Sequence, residues 1–216
     1  MENNKENIKP VIKEEADFVE KTKKYRKQFI GLFVAVVVIL LAILAWFLVR
    51  QSQTAKADQA IALADVEQND SIALSLYEKA ADFGTKSGDR AKVEAAIRLY
   101  QGGKYNEALA YLNDADADDE IVAAGIMTLK GDCYVNLQKY DDALKAFDKA
   151  IDEADNNPQL TPIILIKKAN VYREQKNFKA EAEAYQTIVK NFPAYGKNAN
   201  LDIEKYYERA KAAAAE

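Results

Sequence analysis

The run DADADDE, residues 114 to 120, sets acidic side chains at alternating positions, the spacing at which a calcium loop gathers its oxygen ligands. It lacks the central glycine of such a loop, and Gly125 stands where the bidentate glutamate would be. The run is therefore read as acids at a helix N-terminus, where the helix dipole favours negative charge. Asp141 with Asp142, and Glu181 with Glu183, are paired carboxylates of the kind that glycosidases use. Both pairs lie in amphipathic helical patterns, which makes them solvated faces on this reading. Cys133 is the single cysteine, so neither an intramolecular disulfide nor a thiolate zinc site is expected. It sits in a helical pattern, where a free cysteine packs as a small hydrophobe. Histidine is absent, and with it go the commonest general base, the commonest metal ligand and every nucleophile–histidine pair. The chain is read as a non-enzyme with no catalytic residue, no metal and no cofactor.

With catalysis set aside, the elements that organise the chain carry the reading. The stretch FIGLFVAVVVILLAILAWFLV, residues 29 to 49, is uncharged, and 16 of its 21 residues are Leu, Ile, Val or Phe. At a rise of ~1.5 Å per residue it spans ~31 Å, close to the ~30 Å of a hydrocarbon core. A transmembrane helix is expected. A signal peptide is the rival, with Ala55-Lys56-Ala57 as a faint cleavage site, but signal cores are shorter and follow a short basic head. No cysteine near the start offers a lipid anchor.

Lys21, Lys23, Lys24, Arg26 and Lys27 crowd the N-terminal flank. By the positive-inside rule the N-terminus is expected in the cytoplasm and residues 50–216 beyond the inner membrane, in the periplasm of a two-membrane bacterium. That outer part carries 22 basic and 28 acidic residues, a net −6, against 8 and 6, a net +2, in the first 28. An acidic domain is a poor partner for phosphate-rich ligands, so no nucleic acid is expected. The basic flank is read as a topology signal rather than a lipid site.

The tail MENNKENIKPVIKEEADF is expected to be disordered to Pro10 and helical from about Glu14, with the membrane helix running outward to about residue 67. Helices with short breaks follow. Breaks are expected near Asn69-Asp70, Gly84 to Gly88, Gly102-Gly103, 114 to 119, Gln138-Lys139, Asn156 to Pro158, Lys176-Asn177 and Pro193 to Gly196, and no long stretch alternates as a strand would. Thr161-Pro162 reads as a helix start, with Thr as cap and Pro at the first position.

Within GDCYVNLQKYDDALKAFDKAI, residues 131 to 151, small and large residues take fixed places: Gly131, Tyr134, Ala143, Phe147, Ala150. Ala96, Leu99, Ala108, Leu112 and Ala115 repeat these intervals, and Ala169, Tyr172 and Tyr185 repeat three of the places. The copies start 35 and then 38 residues apart, close to the period of helix-turn-helix repeats. A small residue lets a neighbouring helix approach, and the large residue a turn away fills the wedge. Gly131 and Ala143 are expected to face each other across one helix pair.

At these residues the sequence resembles the tetratricopeptide repeat family, over 124 to 157 and 162 to 195 and more weakly over 89 to 117. The resemblance implies an all-α fold: one transmembrane helix, then an α-solenoid of about three helix pairs and a C-terminal capping helix. The expected divisions are a cytoplasmic tail (1–28), the transmembrane helix (29–49), membrane-proximal helices with half of a degenerate repeat (50–88), the repeats (89–195) and the cap with its tail (196–216). Glu181 stands where the family has a small residue, so Ala182 or Ala180 is expected to pack there through a shifted register. Ile188 replaces another small residue, and Lys130 and Lys168 replace a usual leucine.

The resemblance also implies a groove for proteins or peptides along the first helix of each pair. Carried over by position, it comprises Arg90, Val93, Ile97 and Tyr100, then Thr128, Asp132, Val135 and Asn136, then Ile163, Ile166, Asn170 and Arg173. Val93, Thr128 and Ile166 occupy the lysine places of the family's carboxylate clamp, so a mixed apolar groove for an extended segment is expected instead. The opposing expectation is that the chain's own helices cover some of these residues. In layout the chain is similar to ancillary, chaperone-linked subunits of the Sec translocon, and its C-terminal portion, with KNANLDIEKYYERAKA after the last repeat, resembles tetratricopeptide membrane proteins of Bacteroidota. This implies a membrane-tethered, protein-binding scaffold for exported or nascent proteins, or for a translocon or periplasmic chaperone complex. The alternative is a structural adaptor in envelope or cell-division assemblies.

Overall fold

The computed structural model describes the backbone of residues 8–215, among which there is no strand. The chain divides into two compact units, Met1–Ser52 and Gln53–Glu216. Helix α1 covers Ile8–Val66. Its most apolar window, within Lys21–Val66, has a mean hydropathy of 3.3 and is wholly unburied. Phe29, Leu41 and Trp46 are among the exposed side chains of the first unit. By length and composition this helix is able to cross a membrane. It begins earlier than Glu14, because Pro10 falls in the first turn, where no N–H has an intrahelical partner to lose. Of the disorder expected up to Pro10, residues 8–10 are instead helical, and residues 1–7 lie outside the described residues.

The second unit continues with α2 (Asp70–Ala81), α3 (Lys86–Gln101), α4 (Tyr105–Asp114), α5 (Glu120–Asn136) and α6 (Tyr140–Glu153). Then come α7 (Leu160–Glu174), α8 (Phe178–Asn191), the single turn and a half α9 (Pro193–Asn198) and α10 (Ile203–Ala213). Neighbours in sequence pack as pairs, α3 with α4, α5 with α6 and α7 with α8, while α5 also touches α3 and α7. This is an α-solenoid: each pair leaves an apolar face that only the next pair covers.

The small and large places of the repeat are buried together. Ala96 and Leu112, Gly131 and Phe147, and Ala169 and Tyr185 are all buried. A Cβ placed on Gly131 would lie 2.3 Å from Cε1 of Phe147, so the partner of Gly131 is that ring rather than Ala143. Upstream, Ala57, Ala60, Ile61 and Ala64 form one apolar cluster with Ala73, Tyr77 and Ala80 of α2 and Ala91 and Ala95 of α3. Residues 53–66 and α2 therefore pack as a further helix pair. Arg98 ties it to the repeat that follows, donating to the carbonyls of Ala64 (3.2 Å) and Glu67 (2.6 Å) and to Asp70 (2.7 Å). A cation at a helix C-terminus also suits the dipole.

The turns inside the three pairs share one hydrogen-bond pattern. Gly103, Gln138 and Lys176 each have positive φ, at 76°, 58° and 57°. The next N–H reaches back in each case, from Lys104 to Leu99, Lys139 to Tyr134 and Asn177 to Tyr172. Only the first turn spends a glycine on that conformation.

Three local expectations are corrected. Helix α7 begins at Leu160, because the Asn157 amide oxygen accepts from the N–H groups of Gln159 (3.0 Å) and Leu160 (3.1 Å). Thr161 does not cap; it is buried, and its hydroxyl has no hydrogen-bond partner. The break at Pro193 to Gly196 is instead helix α9, with Pro193 at its first position, where proline is pre-set for a helix. At Gly88 the expected loop is the first turn of α3, pressed against α2: a Cβ there would meet the Ala80 and Ala81 carbonyl oxygens at 3.1 Å.

Glu181 is the largest departure. It keeps the register of Ala108 and Ala143, its N–H bonding the fourth residue back as theirs do, and it is 1% exposed. No shift to Ala180 or Ala182 occurs, because Arg209 of α10 donates to its carboxylate at 3.1 Å and Arg173 stands at 3.9 Å. Tyr206 stacks on Tyr185 at 5.7 Å, and Ile203 and Ala210 are buried, so α10 covers the outer side of α8.

Candidate functional site

Helices α3, α5 and α7 lie side by side, and a cavity of about 500 Å³ opens across them. Helix α3 contributes Val93 and Ile97, α5 contributes Ile121, Val122, Gly125, Thr128, Leu129 and Asp132, and α7 contributes Leu160, Ile163 and Ile164. Helical spacing explains why these residues meet. Ile121, Gly125, Thr128 and Asp132 follow one another at four, three and four residues, which holds them on one face of α5. Ile121, Val122 and Ile163 are 56%, 47% and 41% exposed, so the mouth of the groove presents large apolar side chains to solvent.

The polar groups of the groove are few. Thr128 turns its hydroxyl back onto the Ala124 carbonyl at 2.7 Å, leaving its methyl to the groove. Asp132 is the single charged residue of the lining, and both its carboxylate oxygens accept from Lys167 at 2.8 Å. Burial pushes its carboxyl above the ordinary value, outweighing the Lys167 hydrogen bonds that pull it down. The carboxylate is thus satisfied inside the protein.

Of the twelve residues carried over by position, Val93, Ile97, Thr128, Asp132 and Ile163 line this cavity. The other seven do not. Arg90 is exposed beside Glu94 at 3.9 Å. The Asn136 amide donates to the Tyr100 hydroxyl at 3.3 Å and to its own Asp132 carbonyl at 2.9 Å. Asn170 and Arg173 bond each other, while Val135 and Ile166 pack against core clusters. The chain's own packing therefore covers Val135 and Ile166 in part. Sequence reasoning missed Ile121, Val122 and Gly125 because it started the α5 face at Thr128; continuing the same spacing back to the helix start finds Ile121 and Gly125.

Several of the residues considered for chemistry have structural partners. Asp119 caps α5 through the Val122 N–H at 3.0 Å, Asp114 pairs with Lys92 at 2.9 Å, and Asp118 pairs with Lys86. Asp141 accepts from Gln175 at 3.2 Å and Asp142 pairs with Lys145 at 3.4 Å, both on an exposed face. Cys133 is buried, and burial raises its thiol to about 11, which leaves little thiolate at neutral pH. Lys168 pairs with Asp148, whereas burial, with Lys149 nearby, lowers the Lys130 ammonium. Among the described residues no group of three or more His, Cys, Asp or Glu is placed to hold a metal ion.

Stacked helix pairs with a groove along their first helices define a helical-repeat, protein-interaction class of fold. Residues 128–196 match the family described as tetratricopeptide repeat, and residues 66–150 match the family described as anaphase-promoting complex, cyclosome, subunit 3. Both matches support the tetratricopeptide repeat family. Among solved structures, the crystal structure of MamA protein is similar over 76% of this chain and 91% of that one, with a TM-score of 0.51 and 16% identity. At that identity the likeness speaks for the solenoid fold alone. No curated protein matches the chain.

Proposed function

We propose that this protein is a membrane-tethered scaffold whose repeat domain lies outside the cytoplasm and holds apolar, extended segments of protein partners in the α3–α5–α7 groove. The observation that carries this reading is the cavity of about 500 Å³ with Ile121, Val122 and Ile163 exposed at its mouth. Tetratricopeptide repeats indicate a protein-interaction scaffold and are typically non-catalytic. The tether rests on the apolar window of α1, and the orientation on the basic residues before it.

Magnitudes favour a weak, tether-assisted contact. Fully burying an exposed Ile or Val contributes ~1.5–3 kcal/mol, so covering three that are half-exposed gives about 3 kcal/mol. A millimolar Kd needs about 4 kcal/mol. A neighbour in the same membrane complex meets the groove at an effective concentration approaching ~mM, where such contacts begin to hold. Exported or nascent chains, or a translocon or chaperone complex, are the partners that fit.

The test replaces Val122→Glu and Ile163→Lys together, which keeps the net charge and alters two exposed side chains. Partner recovery from crosslinked membranes should fall while helicity and melting stay as in the parent. Unchanged recovery from a folded variant would rule this face out. A single stoichiometric partner in place of many clients would identify an adaptor for envelope or division assemblies.

A further inference from the structure

Among the stretches of the chain that lack lysine and arginine are residues 105–129 and residues 150–166. Between them they hold nine carboxylates, and they also supply Ile121, Val122, Leu129, Leu160, Ile163 and Ile164 of the groove. Three of the nine carboxylates are matched by cations from elsewhere, Glu107 by Lys104, Asp114 by Lys92 and Asp118 by Lys86. The remaining six, Asp116, Asp119, Glu120, Asp152, Glu153 and Asp155, take part in none of the described ion pairs and are exposed. They stand in the α4–α5 connection and the first residue of α5, and at the end of α6 and the connection that follows. These are the segments that lead directly into Ile121 and Leu160. The positive end of the α5 dipole offsets only about half a charge. Inside the groove Asp132 is already neutralised by Lys167.

We infer that the groove selects protein segments in which apolar side chains are flanked by lysine or arginine, the apolar part seated between α5 and α7 and the cations drawn to the acidic segments that lead into Ile121 and Leu160. The inference rests on the groove reading above and adds the chemistry of its occupant. It also supplies what the apolar contact lacks: with only three large side chains exposed at the mouth, opposite charge is the means by which a partner is drawn in and a wrong one refused.

The experiment uses the full chain in a neutral detergent and three fluorescent peptides that share one apolar core, flanked by lysines, serines or glutamates. The lysine-flanked peptide should bind about 10-fold tighter than the serine-flanked one at low salt, and the preference should shrink to within about 2-fold near 0.5 M salt, where the Debye length falls below ~5 Å. Asp116→Asn, Glu120→Gln and Asp155→Asn together should remove the preference and leave serine-flanked binding unchanged; the cap Asp119 is kept. Ile121→Ser with Ile163→Ser should weaken both. Equal binding of the lysine and serine peptides, or lysine binding that survives the Ile121 and Ile163 changes intact, would overturn the inference and leave the groove reading standing. Binding of none of the three would overturn the groove reading itself.

Discussion

The ring of Phe147 rests against the backbone of Gly131 so closely that a methyl group at Gly131 would stand 2.3 Å from its Cε1. The first repeat has Ala96 and Leu112 at the same two places, trading a larger first residue for a smaller second. Gly131→Ala should therefore cost ~1–3 kcal/mol by overpacking. Adding Phe147→Leu should recover part of that loss, measured by urea unfolding of the full chain in neutral detergent. Independent, additive losses would show that the two residues are not the paired small and large places.

Gln138 and Lys176 hold the left-handed conformation that Gly103 holds in the first repeat. A non-glycine residue there costs ~1–2 kcal/mol, part of which glycine gives back through the unfolded chain's entropy. Gln138→Gly and Lys176→Gly should each stabilise by about 0.5 kcal/mol, and Gly103→Ala should destabilise by about 1 kcal/mol. The melting temperatures of the three variants check the signs.

Arg209→Ala would leave the buried Glu181 carboxylate with only the longer contact to Arg173. Because the arginines are partly exposed and the glutamate is not, the loss should be about 2–3 kcal/mol, below that for a fully buried pair. Adding Glu181→Ala, which restores the small residue of the other repeats, should recover most of it. A double-mutant cycle with no coupling would mean that α10 does not hold this charge.

Asp132 has a carboxyl raised by burial above its ordinary value even with Lys167 bound to it. A raised folded value means that this group alone stabilises the fold most below the ordinary carboxylate range and loses that contribution as pH rises through the raised value. The stability of the parent relative to Asp132→Asn should therefore fall as pH rises through and above the ordinary carboxylate range. Lys167→Met should cost ~1–2 kcal/mol at neutral pH, and less once Asp132→Asn is added. A parent that gains on Asp132→Asn as pH rises would reverse the assignment.

The helix pairs were legible in the sequence because Ala96, Gly131 and Ala169 sit where a neighbouring helix must approach, and Leu112, Phe147 and Tyr185 where a wedge must be filled. These constraints leave a mark at fixed spacing. Glu181 left none: its burial depends on Arg209, 28 residues on, and a long-range ion pair has no local period. The breaks at Gln138 and Lys176 were legible but their left-handed conformation was not, because neither is the glycine or asparagine that usually signals one. In the groove, position-by-position transfer found Val93, Ile97, Thr128, Asp132 and Ile163. Ile166 lies outside that cavity lining and packs, partly buried, against the α7–α8 core cluster.

The central claim is that partners meet the chain at the groove, and site-specific photocrosslinking in intact cells tests it most directly. A crosslinker would replace Val122 or Ile163 in the groove, or Lys145 on the exposed face of α6, whose side chain is 75% exposed. Adducts to other proteins from Val122 and Ile163, with few or none from Lys145, are the predicted result. Adducts from Lys145 that equal or exceed those from the two groove positions would contradict it.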